Sequence, residues 1–169
     1  MKLVPINYKS PTKIQEGLAL CLGYFDGIHQ GHIALIKHGF MNRIHDGVDN
    51  LSLGVLTFDN PISKFKDTGK SKEVLTSVED RFSKISKLNL VDYLCVIHVD
   101  YNFANLSPED FIKMLKKMNV KQVFCGEDYK FGNDAQGDVE LLKKHFVVNI
   151  LDISEPFHEK ISTHTIIKH

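Results

Sequence analysis

The sequence predicts an α/β fold with a five-stranded, mainly parallel sheet flanked by helices. Short apolar runs of strand length alternate with longer segments of helical period, which is typical of parallel α/β architecture. The apolar runs mostly lack strict polar alternation, as expected for strands that are covered on both faces. The 169 residues are 43% hydrophobic and 25% charged, which suits one ordinary core and predicts a single domain over residues 1–169.

The strands and helices follow from composition and capping signals. The candidate strands, rich in Val, Leu, Phe and Cys, are residues 18–23, 51–58, 92–99, 120–126 and 146–150. The candidate helices are residues 32–43, 76–88 and 107–118. Thr76 and Glu79 have capping-box spacing, and Ser107 precedes Pro108 as an N-cap precedes the first helical position. Residues 59–74 are polar and Lys-rich and predict a mobile loop.

Charge and hydropathy exclude several classes of protein. Lys plus Arg and Asp plus Glu are 21 each, so nothing favours non-specific binding to nucleic acid or to an anionic membrane. The N-terminus lacks a continuous apolar segment and no window of 18 apolar residues occurs, so we expect a cytoplasmic protein without a membrane span. Cys21, Cys95 and Cys125 lie in apolar runs and are interpreted as reduced core residues. Arg43 and Arg81 are the only arginines, so bidentate recognition of phosphate must use them or be replaced by lysines.

The segment GYFDGIHQGH, residues 23–32, has the features of a phosphate-binding turn. Its glycines permit close backbone approach, and the following helix offers unpaired N–H groups and a partial positive charge. His29 and His32 are three residues apart, so both imidazoles can face one side and stabilise charge on a transferring phosphoryl group. Two other interpretations remain open: a glycine-rich turn with surface histidines, and a zinc site formed with His38, although no cysteine or carboxylate stands nearby at ligand spacing.

The same segment resembles the H-x-G-H signature of the nucleotidyltransferase superfamily, and most of all the FMN adenylyltransferase module of bacterial FAD synthetases. The resemblance continues in LTFD (56–59), NFANLSPEDFI (102–112) and GEDYKFGNDAQGD (126–138). ISTHTIIK (161–168) stands where that family has S-S-T-x-x-R. Several motifs in the same order over nearly the whole chain make the resemblance specific.

The resemblance implies a Rossmann-like nucleotidyltransferase fold that transfers AMP from ATP to FMN, giving FAD and pyrophosphate, with Mg²⁺. His29 and His32 would be the catalytic residues and would contact the ATP phosphates. The further ATP-binding residues would be Gly23, Phe25, Asp26, Gly27, Gly31, Asp128, Phe131, Ser162, Thr163 and Lys168. The flavin-binding residues would be Phe58, Asn60 and Pro61. No metal ligand is assigned, and Asp26 is interpreted first as a residue that forms the turn. We expect His32, on an exposed helix start, to contribute little to stability.

The sequence departs from the family pattern at two positions. It reads TFDNPI where the family typically has Pro-His-Pro after T-F, and Lys168 stands where the family has an arginine. Two alternatives therefore stay open: a catalytically weakened flavin- or nucleotide-binding member, and another nucleotidyltransferase such as a cytidylyltransferase. Bifunctional relatives continue into a riboflavin kinase domain. The length suits the adenylyltransferase module alone, so we expect that domain to be absent.

Overall fold

The computed structural model describes residues 1–44, 50–66 and 75–152. Within these ranges six strands form one sheet, and all neighbouring strands pair in parallel. The strands are β1 (Lys2–Ile6), β2 (Leu18–Cys21), β3 (Ser52–Phe58), β4 (Tyr93–Ile97), β5 (Val120–Gly126) and β6 (Val147–Leu151). The predicted parallel α/β fold is confirmed, but the count of five strands is wrong because β1 also joins the sheet.

Strand β1 lies at an edge of the sheet and pairs with β4. It contains Pro5, which cannot donate a ladder hydrogen bond and is tolerated at an edge. Only Val4 and Ile6 are buried, so the strand is half exposed. A short, Pro-containing and half-exposed strand gives a weak sequence signal.

Three helices of the described ranges lie near the predicted positions, with shifted ends, and two short ones, at residues 101–104 and 139–143, were not predicted. The helices are α1 (Gln30–Asn42), α2 (Val78–Ser86), α3 (Tyr101–Ala104), α4 (Pro108–Lys117) and α5 (Val139–Lys143). Two 3₁₀ helices span Ile62–Phe65 and Asn133–Ala135, the first within the stretch predicted as a mobile loop. Ser107 caps α4 as predicted, and its hydroxyl accepts from the Asp110 N–H at 3.1 Å. The capping box at Thr76 and Glu79 is wrong because Ser77 caps α2, accepting from the Asp80 N–H at 3.0 Å.

The sheet has an apolar cluster on each face. Leu20, Leu56 and Cys95 belong to one cluster, while their strand neighbours Cys21 and Val55 belong to the other. This division follows from the period of two in strands, which sends successive side chains to opposite faces. The sheet is therefore covered on both sides, as the unbroken apolar runs predict.

The three cysteines are buried and free, which confirms them as core residues. Burial raises the pKa of the Cys95 and Cys125 thiols to about 12, so both stay protonated at neutral pH. None of the helices in the described part of the chain has the length and apolarity that crossing a membrane requires.

The strand order β1-β4-β3-β2-β5-β6 fixes where a ligand can bind. After β2 the chain builds outward on one side through β3 and β4, and then returns to place β5 on the other side of β2. The order therefore reverses between β2 and β5. In open α/β sheets, ligands bind at such a switch point, beyond the carboxyl ends of the strands.

Candidate active site

The glycine- and histidine-containing turn leaves the sheet at the switch point. It follows β2, where the Leu22 N–H still donates to the Phe124 carbonyl of β5 at 2.8 Å. Gly27 has a φ of +70°, a left-handed conformation that favours glycine. The Phe25 side chain is 1% exposed, so it packs in the core and holds the turn in place. The chain then enters α1 at Gln30, with His29 as the N-cap.

The two histidines lie together at the start of α1. Their ring centroids are 5.4 Å apart with an interplanar angle of 29°, and the His29 N–H donates to His32 Nδ1 at 3.0 Å. His29 is exposed, whereas His32 is half-buried and packs on Phe25 with centroids 4.8 Å apart. The expectation that His32 lies on an exposed helix start is therefore wrong, and the ring contributes to local packing.

The protonation state of His32 follows from these contacts. Burial of the ring, together with the neighbouring His29, lowers the pKa of His32 to about 4, so the imidazole is neutral near pH 7. Because Nδ1 accepts the His29 N–H, the ring proton is assigned to Nε2. His32 thus helps to hold the turn in shape through Nδ1, and His29 presents the exposed imidazole.

The lowered pKa of His32 predicts how stability depends on pH. The folded-state pKa of about 4 lies below the ordinary value of 6.5. Between these values the unfolded chain binds a proton that the folded chain does not, so stability falls as pH falls from about 6 to 4.5. We expect the midpoint of thermal unfolding to drop over this interval by roughly 2–6 °C more in the wild type than in His32→Asn, whose amide oxygen can replace Nδ1 as acceptor. Equal drops in the two proteins would contradict the assignment.

Asp26 ties the turn to the segment before α2. Its Oδ1 accepts from the Thr76 N–H at 2.8 Å and from the Thr76 hydroxyl at 2.6 Å. Burial alone would raise the pKa of the Asp26 carboxyl, but the bonds from Thr76 and the charge on Arg81 lower it overall. Because Thr76 donates both hydrogen bonds to Asp26, it does not cap α2. Asp26 lies in the turn, but its carboxylate bonds to Thr76 outside it, so its role in forming the turn stays a prediction.

Arg81, on α2, lies beneath the site and is only 1% exposed. Its Nη1 donates to Thr57 Oγ1 at 2.6 Å and to the Phe58 carbonyl at 2.7 Å, and its Nη2 donates to the Thr76 carbonyl at 2.8 Å. Arg43 contacts Asp92 and the Leu51 carbonyl, which precede β4 and β3 at the opposite edge of the sheet. Arg43 is therefore remote from the carboxyl edge of the sheet, whereas the Arg81 guanidinium lies at the carboxyl end of β3 but is buried and does not line the cavity.

An apolar cavity of about 320 Å³ opens beside the turn. Gly23 and Tyr24 of the turn line it, together with residues that follow or end β3 and β5. Aromatic rings dominate the wall: Phe111 and Phe131 have centroids 4.9 Å apart, and Phe58 and Phe103 have centroids 5.9 Å apart. Cavities of this size and character suit planar organic ligands. Asp128 and Lys130 add opposite charges to the lining.

Two glycines shape the loop that carries Phe131. Gly132 has a φ of +79°, and a Cβ there would lie 2.8 Å from Pro108 Cγ. Phe131 and Gly137 exchange backbone hydrogen bonds of 3.1 and 2.8 Å, and a Cβ on Gly137 would lie 2.4 Å from the Phe131 ring. Phe131 therefore reaches the cavity because these two positions have no side chain.

The structure sorts the candidate residues into groups. Phe25, Asp26, Gly27, His29, Gly31 and His32 form the turn and the start of α1. Gly23, Phe58, Asp128 and Phe131 line the cavity, so Asp128 and Phe131 lie beside Phe58 even though the resemblance assigns them to ATP. Asn60 and Pro61 lie outside the cavity lining, at the entry to the first 3₁₀ helix. Ser162, Thr163 and Lys168 lie outside the described residues.

The histidines do not form a metal centre. His38 is 3% exposed in the middle of α1, where it packs edge-on against Phe124. Among residues 1–44, 50–66 and 75–152, no group of three or more His, Cys, Asp or Glu could hold a metal ion. The zinc interpretation of His29, His32 and His38 is therefore wrong.

Sequence reasoning missed Arg81, Thr76, Phe103 and Phe111 as parts of the site. Phe103 and Phe111 do lie within the NFANLSPEDFI segment, so that motif carried a signal for them. For Arg81 the only signal in the sequence was that arginine is scarce, which made both arginines candidates for a specific role.

The fold and the site together define an α/β protein of the nucleotidyltransferase type, with a histidine turn and an aromatic cavity at the switch point of a parallel sheet. The chain belongs to the FAD synthetase family, whose model matches residues 11–164.

Individual relatives agree with the family assignment. A bifunctional riboflavin kinase/FMN adenylyltransferase of Listeria monocytogenes is 34% identical over 168 residues, which cover 96% of this chain and 52% of that protein. The protein of the same name from Escherichia coli K12 is 33% identical over 147 residues, 85% of this chain and 45% of that protein. The chain thus spans about half the length of these curated relatives.

A solved structure from Streptococcus pneumoniae, named as a macrolide-efflux protein, has a TM-score of 0.75 and 28% sequence identity to this chain. The match covers 90% of this chain and 52% of that one. It agrees with the α/β architecture.

Proposed function

We propose that the protein is an FMN adenylyltransferase. One observation carries the proposal: Gly23 both opens the histidine turn and lines the aromatic cavity. A site for phosphates and a site for a planar aromatic group therefore share a backbone segment. FMN combines these two features in one molecule, with a tricyclic flavin ring and a terminal phosphate. The family membership and the named activity of the relatives support the same reaction.

In the proposed reaction a phosphate oxygen of FMN attacks the α-phosphorus of ATP. A P–O bond forms between the two, the bond from the α-phosphorus to the bridging oxygen breaks, and pyrophosphate leaves. The chain need not supply a covalent intermediate, because positioning and neutralisation of charge account for catalysis of such transfers. The exposed ring of His29 and the N–H groups at the start of α1 would stabilise charge on the phosphates.

The substrates would divide the site between them. We assign the flavin ring to the cavity lined by Phe58 and Phe131, with Asp128 at its wall. We assign ATP to the turn that contains His29, with the hydroxyls of Ser162 and Thr163 and the charge of Lys168 as further contacts. Asn60 and Pro61 would then act on the flavin only indirectly, through the placement of the 3₁₀ helix that follows them.

Magnesium would enter as part of the ATP complex. Mg²⁺ keeps most of its waters and commonly uses one or two carboxylates together with substrate phosphates. The lack of a three-ligand group among the described residues suits an ion that the substrate carries. We also expect a cytoplasmic setting, since the three thiols are buried and free, and no nucleic-acid partner, since the formal net charge is zero.

Incubation of the chain with MgATP and FMN tests the proposal. We expect FAD and pyrophosphate to form in equal amounts, as measured by chromatography of the flavins and by a coupled pyrophosphate assay. Reactions that lack one substrate, or contain CTP in place of ATP, should give no dinucleotide. Correctly folded protein that binds FMN and ATP but forms no FAD would contradict the proposal and favour the weakened, ligand-binding family member. A product with CTP would favour a cytidylyltransferase.

A further inference from the structure

Arg81 is the long charged side chain that the described structure buries most completely, and it does not line the cavity. Arginine is seldom fully buried unless each of its donors is paired. Here two guanidinium nitrogens are paired, but Nε finds no hydrogen-bond partner among the described residues. Burial of a charge with an unpaired donor opposes stability, so stability alone is a poor explanation for this residue.

The acceptors of Arg81 belong to two parts of the site, the end of β3 and the segment before α2. The Phe58 carbonyl, 2.7 Å from Nη1, belongs to the residue whose ring lines the cavity. Thr57 Oγ1 accepts a hydrogen bond from Arg81 Nη1 at 2.6 Å. The same hydroxyl donates to the Phe25 carbonyl of the turn at 3.3 Å. The Thr76 carbonyl accepts a hydrogen bond from Arg81 Nη2 at 2.8 Å. The Thr76 N–H in turn donates to the Asp26 carboxylate.

We propose that Arg81 is a positioning residue that fixes the distance between the histidine turn and the aromatic cavity. Its planar guanidinium bonds at once to the end of β3 and to the segment before α2, and each of these connects onward to the turn. A lysine would keep the charge but could not span the same acceptors with a rigid fork. This inference rests on the proposed function, because the spacing matters only if two substrates must meet.

Conservative variants of the two arginines test the inference. Arg81→Lys removes the planar guanidinium but keeps the charge. Arg43→Lys is its matched control because Arg43 lies at the amino ends of β3 and β4. We expect Arg81→Lys to lower kcat for FAD formation by roughly 10–100-fold, since small errors in the placement of reactants cost rate steeply. The KM values for ATP and FMN should change less than kcat, and Arg43→Lys should keep the wild-type kcat.

Two further measurements separate positioning from folding. Thr57→Val keeps the shape of a buried strand residue but removes the hydroxyl between Arg81 and Phe25, so kcat should fall even if Arg81→Lys fails to fold. In Arg81→Ala, low millimolar guanidinium should restore kcat by roughly threefold or more, while ammonium at the same concentration should not. All assays are run well below the thermal midpoint of each variant, and the folded fraction is measured by circular dichroism.

The outcomes distinguish this inference from the proposed function. No FAD from the folded wild-type chain would overturn the proposed function and, with it, the inference. An active wild type together with wild-type kcat in folded Arg81→Lys and Thr57→Val would overturn the inference alone, and would show that Arg81 serves the fold only.

Discussion

Replacing His29 with alanine is expected to lower kcat for FAD formation by roughly 100–1,000-fold, the usual cost of removing one donor that stabilises a charged transition state. His29 is the exposed imidazole of the pair, whereas His32 is half-buried and its Nδ1 accepts the His29 N–H. The His29 N–H that bonds to His32 belongs to the backbone and remains in the variant. The start of α1 should therefore persist, and the thermal midpoint should move by only about 1–2 °C.

The control is His145→Ala, another exposed histidine, which follows α5 and contacts Lys116 at 2.8 Å. Its kcat and thermal midpoint should match those of the wild type. If His29→Ala retained full turnover, or lost activity only in proportion to a loss of folded protein, the catalytic role of this imidazole would be excluded.

Replacing Gly132 with alanine is expected to destabilise the protein by roughly 2–4 kcal/mol, because two costs add. Gly132 has φ 79° and ψ 178°, a region that residues with a Cβ essentially avoid. An added Cβ would also lie 2.9 Å from the N and Cα atoms of Pro108, which are backbone atoms and cannot rotate away. The free energy of unfolding, measured in urea, reports the change, and FMN binding should weaken with it because Gly132 lines the cavity.

The same loop supplies a control in the reverse direction. Ala135 has a φ of +53°, a left-handed conformation that is less favourable in free energy for alanine than for glycine. Ala135→Gly should therefore change stability by no more than about 1 kcal/mol and leave FMN binding intact. Equal free energies of unfolding for Gly132→Ala and the wild type would contradict this prediction, because the loop could then move away from Pro108 at no cost in stability.

Much of the fold was predictable because its determinants are local. The buried parallel strands are continuous apolar runs, and three consecutive residues, Ser107, Pro108 and Glu109, mark a helix start. Strand β1 was not predictable in this way because it is short and half exposed and contains Pro5. Its place in the sheet comes from pairing with β4, some ninety residues away in sequence.

The start of α2 shows how a tertiary contact overrides a local signal. Thr76 and Ser77 are both good caps by residue type. Asp26, fifty residues earlier, takes both donors of Thr76, so Ser77 becomes the cap. No pattern confined to α2 could have revealed this choice.

The candidate site was predictable at the level of the turn but not of its electrostatics. The spacing of His29 and His32 implied that they lie together, which the ring separation of 5.4 Å confirms. That one ring is exposed and the other neutral and half-buried depends on burial of the His32 ring, which packs on Phe25, and on the neighbouring His29. Likewise, a charged residue on α2 is expected to face solvent, and the burial of Arg81 is visible only in three dimensions.

The position of Tyr24 has a thermodynamic consequence. Tyr24 lines the cavity, and its backbone is also the partner of His32 in the turn. A molecule that displaces Tyr24 from the cavity side would therefore also displace a partner of His32, so occupancy of the cavity and of the turn should be coupled. Such coupling is reciprocal, so each substrate should change the affinity for the other by the same factor.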